Sequence, residues 1–145
     1  KYYTGRGRIV YGGGGITPDA FIPLDTSYFN DYFLGVRRVL PQFTARRMEG
    51  RQPNAVPANL KDFVARYQLP DTALEALLAY AAEQGVARNP SQLAKCRREL
   101  QVLLKSRIAK ILFKDEGMYA VLNQDDPAIA KAKQLLKNGE PVAKR

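Results

Sequence analysis

Apolar side chains recur at three- and four-residue spacing over most of this chain, a period that lines them along one face of a helix. Phe29, Tyr32, Phe33, Val36, Val39, Leu40 and Phe43 form an aromatic-rich stripe. It predicts a helix from about Ser27 to Arg47, with Asp25, Thr26 and Ser27 as candidate N-caps. Pro41 lies inside the stripe, and its missing N–H predicts a break or kink near Leu40. A stripe of this kind can form a groove for a peptide or lipid, but long aromatic stripes normally build cores, and burial is the expected use. Residues 49–58 read as a loop, marked by Gly50, Pro53 and Pro57.

Beyond that loop the helical period returns. Asn59 is placed to cap a short helix carrying Leu60, Phe63, Val64 and Tyr67. Pro70 and Asp71 reset the chain for a helix through Leu74, Leu77, Leu78 and Ala81, which Gly85 ends. Asn89-Pro90-Ser91 opens the longest helix, whose inner face is Leu93, Cys96, Leu100, Leu103, Leu104, Ile108, Ile111 and Leu112. Gly117 predicts a turn within 113–123, followed by a continuing helical piece. Asp125-Asp126-Pro127 then starts a last helix to about Lys137, with Ile129, Ala132, Leu135 and Leu136 inward, and Gly139-Glu140-Pro141 stops it.

The first nineteen residues have another character. Tyr2 to Tyr11 is rich in Tyr, Thr, Ile and Val and predicts a strand, a run of four glycines from Gly12 to Gly15 predicts a bend, and Ala20 to Leu24 predicts a second short strand with Pro23 at its edge. The expected fold is therefore α+β, an N-terminal β-hairpin followed by a mainly α-helical bundle. Its expected divisions are the hairpin at 1–25, a linking helix at 26–50 and a helical domain at 51–145. A lone hairpin is marginal in water, and its open edge invites another chain. One expectation is therefore a homodimer through the N-terminal strand; another is that Lys1 marks a processed or cut boundary.

This stretch resembles the closing segment of the catalytic domain in C-terminal processing peptidases, the tail-specific proteases. There a strand ending in roughly Tyr-Thr-x-x-Gly-Arg leads through a glycine-bearing turn to Gly-Ile-x-Pro-Asp. Tyr3, Thr4, Gly7 and Arg8 fit the first half, and Gly15, Ile16, Pro18 and Asp19 fit the second. The match departs from the common form at Gly5 and Arg6, where many members carry Pro and Ser, and the added glycines at Gly12 to Gly14 resemble a subgroup with a longer run. The resemblance implies that the eight matching residues are structural, and that the nucleophilic serine and its lysine base lie N-terminal to this segment. It implies a parent serine endopeptidase of the cell envelope, periplasmic or membrane-associated, acting on polypeptides by Ser-Lys acyl transfer. The present residues then carry no member of the dyad, need no cofactor, and serve a structural or regulatory purpose. The motifs cover about the first sixth of the chain; past Asp19 only helical character is shared.

Composition narrows the alternatives. The 145 residues are 46% hydrophobic, enough for a buried core and against wholesale disorder. No apolar run approaches the length of about eighteen residues that a membrane span needs. There is one cysteine, Cys96, and no histidine, which removes internal disulfides, the usual zinc patterns and His-based triads. Cys96, in helical register with Leu93 and Leu100, reads as a small core residue. The acidic pairs Asp115-Glu116 and Asp125-Asp126 sit at expected helix ends, where capping explains them. Lys61, Lys95 and Lys105 have the character of ordinary helical lysines. Lys and Arg total 23 against 14 Asp and Glu, a net charge of +9, but the basic residues are scattered, the pattern of a solvated surface more than of a phosphate-tracking groove. Nucleic acid is thus the least expected partner. A self-contained helical protein-binding module with a β-arm for dimerisation stands as the alternative to the peptidase reading.

Overall fold

The computed structural model describes residues 1–5, 7, 9–10, 20–48 and 56–138. They form two units, one of Lys1–Leu24 with Asp125–Arg145, the other of Asp25–Gln124. The larger unit is a bundle of four helices, α1 (Asp31–Met48), α2 (Leu60–Arg66), α3 (Asp71–Glu83) and α4 (Pro90–Leu122). α4 is its axis, packing along α1, α2 and α3, while α1 also packs on α3.

The core follows from the stripes. Tyr32, Phe33, Val36, Val39, Leu40 and Phe43 of α1 are buried, so the aromatic stripe is core and not an open groove. Opposite lie Leu74, Leu77, Leu78 and Ala81 of α3, and Cys96, Leu100, Leu104 and Ile108 of α4, all buried. Phe63 of α2 is fully enclosed, stacked on Tyr67 at 4.8 Å and edge-on to Phe113 at 5.4 Å. Burial of one such Leu or Phe contributes about 1.5–3 kcal/mol. The stretch expected to link two domains is α1, which supplies seven buried residues to this core.

Caps hold the helix ends where the sequence places them. Asn59 Oδ1 accepts from Asp62 N–H, Asn89 Oδ1 from Gln92 N–H, and Gly85 leaves α3 at a φ of +86°. Lys105 Nζ donates to the Val64 carbonyl at 3.0 Å, one of the orphan acceptors at the end of α2. α1 differs from expectation at its start: Asn30 is the N-cap, accepting from Phe33 N–H at 2.9 Å, while Asp25 accepts from Ser27 N–H in a local turn. Pro41 does not break the helix, which runs on to Met48. Thr44 Oγ1, buried one turn on, donates to the Leu40 and Pro41 carbonyls and so meets its own hydrogen-bonding need within the helix.

The expected turn near Gly117 falls earlier. Phe113 (φ −126°, ψ 15°) and Lys114 (φ 60°, ψ −152°) interrupt α4, and Gly117 is helical and buried. A Cβ on Gly117 would lie 2.6 Å from the Ala109 carbonyl oxygen and 2.6 Å from Phe113 Cβ. The glycine serves close packing across the kink, which Lys110 and Asp115 also bridge at 2.9 Å.

In the smaller unit, the expected hairpin of Tyr2–Tyr11 with Ala20–Leu24 is not shown. Tyr2–Tyr3 instead pairs with Ile9–Val10 in an antiparallel ladder two residues long, and residues 20–24 carry no strand. The glycine-punctuated stretch bends back on itself, with Gly7 N–H donating to the Thr4 carbonyl at 2.8 Å. The described residues are thus mainly helical, and the hairpin of the expected α+β fold is not shown among them. α5 (Pro127–Lys137) begins where expected, Asp126 Oδ1 accepting from Ala128 and Ile129 N–H. Its apolar residues are not inward: none is buried, and Leu136 is 75% exposed.

Candidate functional site

The eight motif residues are only partly within the described structure. Tyr3 lies in the short ladder, largely exposed, and Thr4 and Gly7 close the turn beside it. Arg8, Gly15, Ile16, Pro18 and Asp19 lie outside the described residues, as do Gly12 to Gly14. Tyr3, Thr4 and Gly7 are brought together by a backbone turn.

The candidate chemical groups singled out from the sequence are dispersed over the described residues. Cys96 is buried in the core, and burial pushes its thiol above the ordinary range. Ser106 is buried and donates to the Leu103 carbonyl at 2.8 Å. Lys61 and Lys95 are exposed, while Lys105 sits 5.6 Å over the Phe63 ring as it caps α2. Asp115 pairs with Lys110 and Asp126 caps α5, so neither acidic pair forms a carboxylate dyad. No group of three or more Cys, Asp or Glu among the described residues is placed to hold a metal ion.

What the bundle does offer is a groove of about 570 Å³ between the C-terminal turn of α1, the segment joining α2 to α3, and α4. Its floor is Ala73, Leu104 and Ile108, buried side chains of α3 and α4. Arg47 and Arg66 are exposed residues of its lining, and Tyr67, which directly follows Arg66, is half-buried. Burial raises the Tyr67 hydroxyl pKa, and the Arg47 charge partly offsets this, which places the guanidinium within electrostatic reach of the phenol. Arg66 also approaches Asp62, one turn back on α2, at 3.6 Å. Sequence periodicity could not find this groove. Arg47 is distant in sequence from the adjacent pair Arg66 and Tyr67, and the three line one groove because α1 and α2 both pack on α4.

No helix among the described residues is long and apolar enough to cross a membrane. No curated protein and no solved structure matches the chain. A family model does: it covers residues 32–115, from the first turn of α1 to the kink of α4, which is the packed body of the bundle. The chain belongs to the family of unknown function DUF8443.

Proposed function

We propose that this chain is the non-catalytic C-terminal portion of a serine endopeptidase similar to the C-terminal processing peptidases. The observation that carries the reading is the ordered pair of motifs, Tyr3-Thr4-x-x-Gly7-Arg8 then Gly15-Ile16-x-Pro18-Asp19, directly before a helical unit. The serine nucleophile and lysine base that the resemblance implies are assigned N-terminal to Lys1, and the parent enzyme to the cell envelope. Two further features support it. Tyr2, Tyr3, Phe21 and Leu24 are each at least 65% exposed, apolar surface that suits a segment completed by additional strands. The helical unit closes its own core, as suits an accessory module on a catalytic domain.

The test is the coding sequence upstream of Lys1, followed by assay. A serine in a glycine-rich turn, then a lysine a few tens of residues before Lys1, supports the reading. The 145-residue chain alone should then show no serine-dependent peptidase activity. A start codon immediately before Lys1, or hydrolysis by the rigorously purified chain, overturns it. A second reading, a helical binding module that dimerises through an N-terminal arm, is favoured by the same exposed tyrosines. It predicts a dimer that dissociates when residues 2–11 are deleted.

A further inference from the structure

We infer that α5 docks on an anionic phospholipid surface. It lies in the plane of the headgroups, with its apolar face toward the acyl chains and its lysines among the phosphates.

The apolar face is the first observation. Ala128, Ile129, Ala132, Leu135 and Leu136 recur at the helical period and gather on an arc of about 120°. None of them is enclosed: Ile129 and Leu135 are partly covered, and Leu136 is 75% exposed. α5 packs on no other described helix or strand. A helix of 11 residues is about 16 Å long, half of what a membrane span needs, so such a face is used by lying in a surface.

The second observation is charge. Lys133 and Lys137 border the apolar arc on one side and Lys131 on the other, so the stripe runs between ammonium groups. Residues 127–138 contain no carboxylate, and no carboxylate among the described residues pairs with these three lysines. Lys131 Nζ instead meets Gln134 Oε1 of its own helix at 3.5 Å. Asp126, at the N-terminal end, is committed to the cap. Lysines on both margins let the aliphatic stems cover apolar surface while the charges reach phosphate.

Charge complementarity selects the occupant. A second copy would set the lysine margins against one another, which is repulsive. A protein partner draws its anchors from Tyr, Trp and Arg, and such interfaces are depleted in Lys; α5 has no aromatic residue and no arginine. A lipid surface demands no register, only apolar depth and positive charge. α5 lies outside both the family match at 32–115 and the motifs that end at Asp19, and its role does not depend on the peptidase reading.

The experiment is sedimentation of the full 145-residue chain with sucrose-loaded vesicles. The vesicles are phosphatidylcholine alone, or phosphatidylcholine with about one third phosphatidylglycerol. The chain should pellet with the anionic vesicles, stay in solution with the neutral ones, and be released at about 1 M salt. Lys131→Gln with Lys133→Gln should lower the partition coefficient about twentyfold, about fivefold for each lysine at the surface. Arg37→Gln with Arg38→Gln removes the same charge from exposed positions of α1 and should change it less than about twofold. Leu136→Ser, at a position too exposed to threaten the fold, should lower it about tenfold with the thermal midpoint unchanged. Equal pelleting with neutral vesicles overturns the proposal, as does no pelleting with either. Equal losses in the two double variants also overturn it, since the whole chain's charge and not α5 would then bind. So does full binding by Leu136→Ser, or a lipid-free dimer that this variant dissociates, which would make a second copy the occupant. None of these outcomes bears on a serine and lysine upstream of Lys1, so each reading fails or stands separately.

Discussion

Lys114 holds a backbone geometry, φ 60° and ψ −152°, that lies near the region populated almost solely by glycine. It persists because neighbours over-determine it: the Lys110–Asp115 pair and the contact of Gly117 with Ala109 and Phe113 favour the kinked path. Lys114→Gly is expected to raise stability in urea by about 1 kcal/mol, the released strain less the glycine's entropy. Lys114→Val should lower it, since a β-branched residue tolerates positive φ least. Cys96 gives a pH dependence. Its raised pKa means that the folded chain keeps the thiol proton while the unfolded chain loses it. Stability from this source is complete below about pH 8.5, the unfolded thiol value, and is lost as pH rises through the folded one. Tyr32 and Tyr67, also raised by burial, continue the loss at higher pH. Cys96→Ala should flatten the first part of that fall, measured as denaturant midpoint against pH. At this scale the sequence is legible for Cys96 as a core residue and silent on Lys114, because nothing in Phe113-Lys114-Asp115 marks a breaker.

Helix ends are where elements depend on each other. Gln92 Oε1 accepts from Tyr32 N–H at 3.0 Å, and Gln92 O accepts from Asn30 Nδ2 at 3.2 Å, so the starts of α1 and α4 are tied through one residue. Asn89 in turn holds the Gln92 N–H. Gln92→Ala should cost about 1 kcal/mol in thermal or urea unfolding by leaving the Tyr32 donor without its acceptor. Local caps such as Asn59, Asn89 and Asp126 can be read from the chain because each acts within three residues of itself. The cap of α1 could not be chosen correctly that way. Asp25, Thr26, Ser27 and Asn30 all have capping chemistry, and the contact with α4 selects Asn30.

The whole molecule divides into a helical unit with a closed core and a smaller unit in which no described hydrophobic side chain belongs to that core. Residues 25–124 alone are therefore expected to fold cooperatively, with a calorimetric midpoint within about 3 °C of that of the full chain. A non-cooperative melt would show that the core needs the remaining residues. The stripes of α1, α3 and α4, and the glycine that ends α3, were decided by sequence, because helical periodicity and φ preference are local properties. The passage of α1 through Pro41 was not, since burial of Val36, Val39, Leu40 and Phe43 in the core offsets a cost that local propensity counts in full. Nor was the pairing of Tyr2–Tyr3 with Ile9–Val10, since strand-forming composition does not by itself choose a partner. The groove is a tertiary property altogether. Arg47 of α1, Tyr67 at the end of α2 and Leu104 of α4 are related by no sequence interval, and only the common packing of these helices brings them to one lining.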